Sequence, residues 1–164
     1  MKKVRDNIDR ILEYVLVSLM GISVLNVLWQ VITRFLMKNP SSYTEEIARY
    51  LLIWIGLLGA AYGIGKKIHL AIDVLKQRLP DKKRQRIDIL INSFVLLFSV
   101  MVMIIGGLYL VKLTFELHQI SAALQLKLGY VYLALPLSGA LMSFYSLLNI
   151  AGLVKNGKEA RWVS

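Results

Sequence analysis

The residues with the most chemical potential in this chain fall in two short stretches. The first is Thr44-Glu45-Glu46-Ile47-Ala48-Arg49, preceded by Arg34. In a helix, Glu45 and Glu46 stand at i, i+4 and i, i+3 from Arg49, so either carboxylate can neutralise the guanidinium. One reading is a helix start closed by an ion pair, which contributes little in water. The other is a charged anchor that meets a partner subunit or an extramembrane protein. The second stretch holds His69 and Asp73, one helical turn apart. An imidazole and a carboxylate at that spacing could relay a proton or bind a metal. A hydrogen-bonded surface pair is the simpler reading, and no metal site is assigned.

Beyond these, the chemistry is sparse. With no cysteine, the chain can form no disulfide, thiolate metal site or thiol nucleophile. No nucleophile–base constellation is visible, so an enzyme is not expected.

The elements that position these residues are apolar. Charge-free runs cover 15–33, 50–65, 89–111 and 128–154. About 20 apolar residues, rising about 1.5 Å each, cross a hydrocarbon core of about 30 Å. The second run is short of this unless Arg49 snorkels along its own alkyl stem. The pattern predicts an all-α integral membrane protein in a single membrane domain. Its four spans cover about 12–36, 47–65, 88–111 and 128–154. The basic start followed by an apolar run resembles a signal peptide, but the run is too long and reads as an uncleaved first span.

Of the 20 Lys and Arg residues, 15 lie at the two ends and in the 66–88 loop, and 5 lie on the opposite side. The positive-inside rule then predicts both termini in the cytoplasm. The net charge of +10 reflects topology and contact with anionic membrane lipid rather than a nucleic-acid surface.

The loops carry further signals. Pro40 ends the first helical region, and Ser42 or Thr44 can cap the second helix. Over about 66–79, Ile68, Ala71, Ile72, Leu75 and Leu79 share one face, and Lys66, His69, Asp73, Lys76 and Gln77 share the other. This predicts an amphipathic interfacial helix stopped by Pro80. Between Lys112 and Lys127, Leu113, Leu117, Ile120 and Leu124 recur at helical spacing, which predicts an extension of the third span or a segment on the outer leaflet.

The spans themselves are quiet. Asn26, Gln30 and Asn92 are their strongest polar groups, and no ionisable residue is expected at a bilayer midplane. Midplane charge commonly marks ion paths and proton relays, whereas amides more often join helices. Gly56, Gly59, Ala60, Ala61, Gly63, Gly106 and Gly107 suit close packing, within this chain or against another. Pro136 alone only kinks the last span. His69 and His118 are expected on opposite sides of the membrane, so they cannot supply the paired axial ligands of a haem anchor. A scaffold subunit bordering a larger membrane protein remains. The alternative is a self-assembling small transporter or channel.

Arg34-Phe35, the run Tyr43-Thr44-Glu45-Glu46-Ile47-Ala48-Arg49-Tyr50-Leu51, Trp54, Gly59-Ala60, the His69/Asp73 pair and Leu79-Pro80 resemble the small permease (DctQ-like) subunit of tripartite ATP-independent periplasmic (TRAP) transporters. Tyr130 to Met142 resembles that family's last span. Tyr43 stands where many members have Trp, and Ser138 where Gly is common. The resemblance covers nearly the whole chain. It implies a multi-pass protein of the bacterial inner membrane with two partners: a large permease carrying the transport and sodium sites, and a periplasmic substrate-binding protein. It implies sodium-driven uptake of an organic acid, such as a C4-dicarboxylate or sialic acid, with no cofactor in this chain. It also implies that Arg34, Glu45, Glu46 and Arg49 form a partner interface, and that His69 and Asp73 fix the interfacial arm.

Overall fold

The structure, a computed structural model, describes residues 2–36, 41–66 and 81–159. It contains α1 (Lys2–Phe35), α2 (Ser42–Lys66), α3 (Asp81–Phe98), a π-helical segment (Ser99–Gly106), α4 (Gly107–Glu116), α5 (Leu128–Tyr132) and α6 (Ala134–Glu159). Four stretches are long and apolar enough to cross a membrane: Arg5–Phe35, Ser42–Lys66, Lys83–Glu116 and Leu128–Val154. The expected all-α, four-span architecture is therefore present. The third span is α3, the π segment and α4 in series, and the fourth is α5 and α6. The start of α1, the end of α2 and the start of α3 meet the later turns of α6 at one end of the bundle, called here the terminal end. The α1–α2 connection and residues 117–127 form the loop end.

Several helices outrun their predicted limits. At about 1.5 Å per residue, the 34 residues of α1 extend roughly 51 Å, well beyond a hydrocarbon core of about 30 Å. The helix is therefore longer than a single crossing along the membrane normal requires. The predicted interfacial helix of about 66–79, with His69 and Asp73, lies outside the described residues apart from Lys66, which closes α2.

The spatial order of the spans differs from their order in the chain. Span one packs on span two, span two on span four, and span four on span three. Span four is thus the central helix, buried along much of its length, while span one lies at an edge with none of its most apolar window buried. The core combines Leu12, Leu58, Ala61, Ile64, Met103, Met142 and Tyr145. Gly56, Gly59 and Gly63 have open space around them, so they do not mediate close packing within this chain.

The π segment has a packing cause. Ser99, Met103, Gly107 and Val111 are all buried, a repeat of four residues. A regular helix turns 100° per residue, so a four-residue repeat would drift about 120° over those three steps. The wider π turn cancels much of that drift and keeps the stripe against span four. Two glycines permit the close approach. A Cβ on Gly107 would meet Leu135 Cβ at 3.0 Å and Pro136 Cδ at 3.1 Å. One on Gly139 would meet Met103 Cβ at 2.7 Å. Ser99 and Ser143 hydroxyls bridge the same contact at 2.7 Å. Pro136 has no amide to donate, and span four breaks at Leu133, three residues before it.

The third span continues helically to Glu116, as one of the two expectations had it, and then stops. His118 adopts a left-handed φ of 49°. Its amide donates to Phe115 O at 3.1 Å, and the Gln119 amide donates to Thr114 O at 3.1 Å. These two bonds form a Schellman cap, with histidine where glycine is usual. Leu117, Ile120 and Leu124 therefore do not continue the helix. The chain turns back through an antiparallel bridge between Ile120 and Lys127.

Candidate functional site

At the loop end, α2 starts at Ser42, and Ser41 is bonded to its first turn. The Ser41 and Thr44 hydroxyls lie 2.6 Å apart, and Thr44 Oγ1 donates to Ser41 O at 2.8 Å. Of the two expected caps, Ser42 and Thr44, Thr44 bonds back to Ser41 through its hydroxyl. Thr44 is buried because span one covers it, and Asn26 Nδ2 donates to its carbonyl at 2.8 Å. Asn26 is thus a helix-to-helix contact, as expected of a span amide. Trp29 Nε1 donates to the Tyr43 hydroxyl at 3.2 Å, a pair placed as aromatic belts are at a membrane boundary.

The two adjacent glutamates have different roles. Glu45 Oε1 pairs with Arg49 at 2.9 Å, and both side chains are exposed. Glu46 turns instead to the 117–127 connection, where its carboxylate accepts the Ala123 and Leu124 amides at 3.0 Å each. Ser121 N donates to Leu126 O at 2.8 Å, closing the same turn. A carboxylate suits this position because it has two acceptor oxygens for two amides that the tight turn leaves without helical partners. Ser42, Glu45, Glu46, Arg49, Ala122 and Ala123 line one shallow cleft. Arg34 is not part of it. It is exposed and lies 6.0 Å from the centroid of the Phe35 ring. Of the four predicted interface residues, the structure groups Glu45, Glu46 and Arg49 and leaves Arg34 apart.

A second polar assembly lies at the terminal end. The Tyr145 hydroxyl donates to Asp9 Oδ1 at 2.6 Å, and Lys66 Nζ lies 3.1 Å from Asp9 Oδ2. The Arg5 guanidinium donates to the Gly65 carbonyl. Asn149 Nδ2 donates to Ile64 O and to Asn92 Oδ1, both at 3.3 Å. Spans one, two, three and four are all tied by these contacts. Sequence reasoning missed Asp9, Tyr145 and Asn149. Asp9 was hidden in a basic terminal run, and Tyr145 and Asn149 read as ordinary members of an apolar span. Their one signal is an i, i+4 polar pair on the helix that proves central. Neither assembly presents a nucleophile beside a base. Both join elements, and their chemistry is positioning.

Comparison with known proteins fits this picture. Residues 23–156 match the family model described as tripartite ATP-independent periplasmic transporters, DctQ component. The chain is 30% identical over 156 residues to the sialic acid TRAP transporter small permease protein SiaQ of Vibrio cholerae, covering 94% of this chain and 88% of that one. It is 31% identical over 116 residues to the C4-dicarboxylate TRAP transporter small permease protein DctQ of Rhodobacter capsulatus, covering 71% of this chain and 51% of the relative. It is also 34% identical over 113 residues to the isethionate TRAP transporter permease protein DctMQ of Oleidesulfovibrio alaskensis, covering 69% of this chain and 18% of that longer one. The chain spans most of the first relative, about half of the second and a small part of the third. A four-span membrane protein whose polar groups join its own elements, matched over residues 23–156, belongs to the DctQ component family of the tripartite ATP-independent periplasmic transporters.

Proposed function

We propose that this chain is the small permease subunit of a sodium-driven, binding-protein-dependent system for uptake of an organic acid of the C4-dicarboxylate or sialic acid type. Its work is to enlarge the fixed membrane scaffold around a large permease and to help dock the periplasmic binding protein. The observation that carries this reading is the edge position of span one, whose most apolar window is wholly unburied. That helix offers a full-length apolar face to another membrane protein, while the polar groups of the bundle are spent inside it. The isethionate relative supports the reading, since its matched stretch is 18% of a longer permease chain.

The large permease carries the transport and sodium sites, and this chain contributes no cofactor. The 15-to-5 division of basic residues puts both termini in the cytoplasm of a bacterial inner-membrane protein and the loop end in the periplasm. The cleft of Glu45, Glu46 and Arg49 then faces the partners, and Arg34, apart from the cleft near the end of α1, is on the same side of the membrane. His69 and Asp73 steady the cytoplasmic arm.

The test is affinity purification of the tagged chain from its native membranes in mild detergent, followed by uptake by the recovered complex in proteoliposomes. A stoichiometric multi-span partner is expected, with uptake that needs an inward sodium gradient and the binding protein. Recovery of this chain alone, as a homo-oligomer that transports by itself, would overturn the proposal.

A further inference from the structure

Two buried polar atoms in span four have no hydrogen-bond partner among the described residues: Ser146 Oγ and Asn149 Oδ1. Ser146 is fully buried, and Asn149 is 4% exposed. An orphaned polar atom in an apolar interior is costly, and native structures rarely leave one dry. Here there are two, at i and i+3, where side chains are neighbours roughly 5–6 Å apart at Cβ.

Their surroundings are polar on one side only. Ser143, Ser146 and Asn149 occupy a single arc of α6. Ser143 bonds to Ser99 of the third span, and Asn149 bonds to Asn92 of the same span. Ser146 lies between these two cross-links in the chain, one helical turn from each. On the other flank, Asn149 reaches the Ile64 carbonyl of α2. Spans two, three and four therefore converge on the two orphaned atoms.

We infer that Ser146 and Asn149 hold a buried water molecule at the junction of spans two, three and four. The chemistry selects the ligand. Asn149 Oδ1 only accepts, so the occupant must donate. Ser146 Oγ both donates and accepts. A neutral molecule that donates twice and accepts as well meets both needs, and buried waters characteristically satisfy such groups with about three hydrogen bonds. A cation is less suited, because the Asn149 amide nitrogen points its hydrogens into the same junction, toward Ile64 O and Asn92 Oδ1.

The test exploits a difference in sign. Thermal unfolding of the full-length chain, in the assembly it forms in mild detergent, is compared for Ser146→Ala and for Ser93→Ala. Ser93 is exposed on α3, so its variant corrects for helix propensity. If water is bound, Ser146→Ala removes one of its anchors and Tm falls by roughly 2–4 °C relative to Ser93→Ala. If the site is dry, the same substitution deletes an unsatisfied hydroxyl from an apolar interior and Tm rises, which overturns the inference. Repeating the melts with sodium replaced by choline gives a second readout. The same sodium dependence in wild type and Ser146→Ala supports water, and a sodium dependence abolished by Ser146→Ala would mean a cation site instead and overturn the inference. A high-resolution map gives the direct check. A peak within hydrogen-bond distance of both atoms is expected, and a Ser146 hydroxyl donating straight to Asn149 Oδ1 would also overturn it.

Discussion

Substituting alanine for Gly139 should damage the bundle where spans three and four meet. The added methyl would lie 2.7 Å from Met103 Cβ, 3.1 Å from Ile104 Cγ1 and 3.1 Å from the Ser99 carbonyl oxygen. Carbon atoms prefer about 3.5–4.0 Å, so the first contact is roughly 1 Å too close. A Cβ and a backbone carbonyl cannot rotate away, so the two spans must part or bend. Overpacking of this kind costs about 1–3 kcal/mol, and the rigidity of these neighbours puts it near the top of that range. Alanine returns about 1 kcal/mol of helix propensity. The net loss is about 2 kcal/mol, and at about 2–4 °C per kcal/mol for chains of this length Tm should fall by about 4–8 °C. Intrinsic tryptophan fluorescence during heating in mild detergent reads it. Gly56→Ala is the control, because no atom lies within 4 Å of its Cβ position, and its Tm should hold or rise. If Gly139→Ala melts with or above Gly56→Ala, the close approach of the π segment to span four is wrong.

Other outcomes follow from the polar contacts. Glu46→Ala should free the Ala123 and Leu124 amides, so hydrogen exchange should speed at 121–126 while the spans keep their protection; unchanged exchange there would remove the clamp. Tyr145→Phe deletes a buried hydroxyl bonded to Asp9 at 2.6 Å, which should cost about 1.5–3 kcal/mol and loosen protection across the first turns of α1 in the same experiment. Protection equal to wild type would show that Asp9 is held by Lys66 alone. Arg49→Ala should leave Tm nearly unchanged, since its pair with Glu45 is exposed, yet lower recovery of the large permease; full recovery with normal uptake would remove Arg49 from the interface.

The spans were legible because hydrocarbon thickness imposes length and apolarity on every one of them, whatever its neighbours. The i, i+4 pair of Glu45 and Arg49 was legible for a similar reason, as both partners lie on one helix. What depended on contacts between distant segments was not. Glu46 is chemically like Glu45, and only the arrival of Ala123 and Leu124, 77 and 78 residues later, gives it a separate task. The π segment has an ordinary apolar sequence, Ser-Val-Met-Val-Met-Ile-Ile-Gly, and its wide turn answers the surface of span four. His118 capping a helix was equally hidden, since histidine tolerates a left-handed φ without advertising it.

The central place of span four also bears on how the protein is made. Translation delivers spans one, two and three before the helix that joins them exists. Spans two and three are neighbours in sequence, yet span four lies between them. The Asp9–Tyr145 bond closes across 136 residues, so this contact waits for almost the whole polypeptide to leave the ribosome, whereas Arg5 and Asp9 can meet Gly65 and Lys66 of span two earlier. A chain truncated before span four would leave Asp9 with Lys66 but without the Tyr145 hydroxyl, Ser99 uncovered and the π stripe with nothing to pack on. Such a nascent chain lacks the helix that spans two and three both pack on. The bundle therefore closes only once its last span has been made.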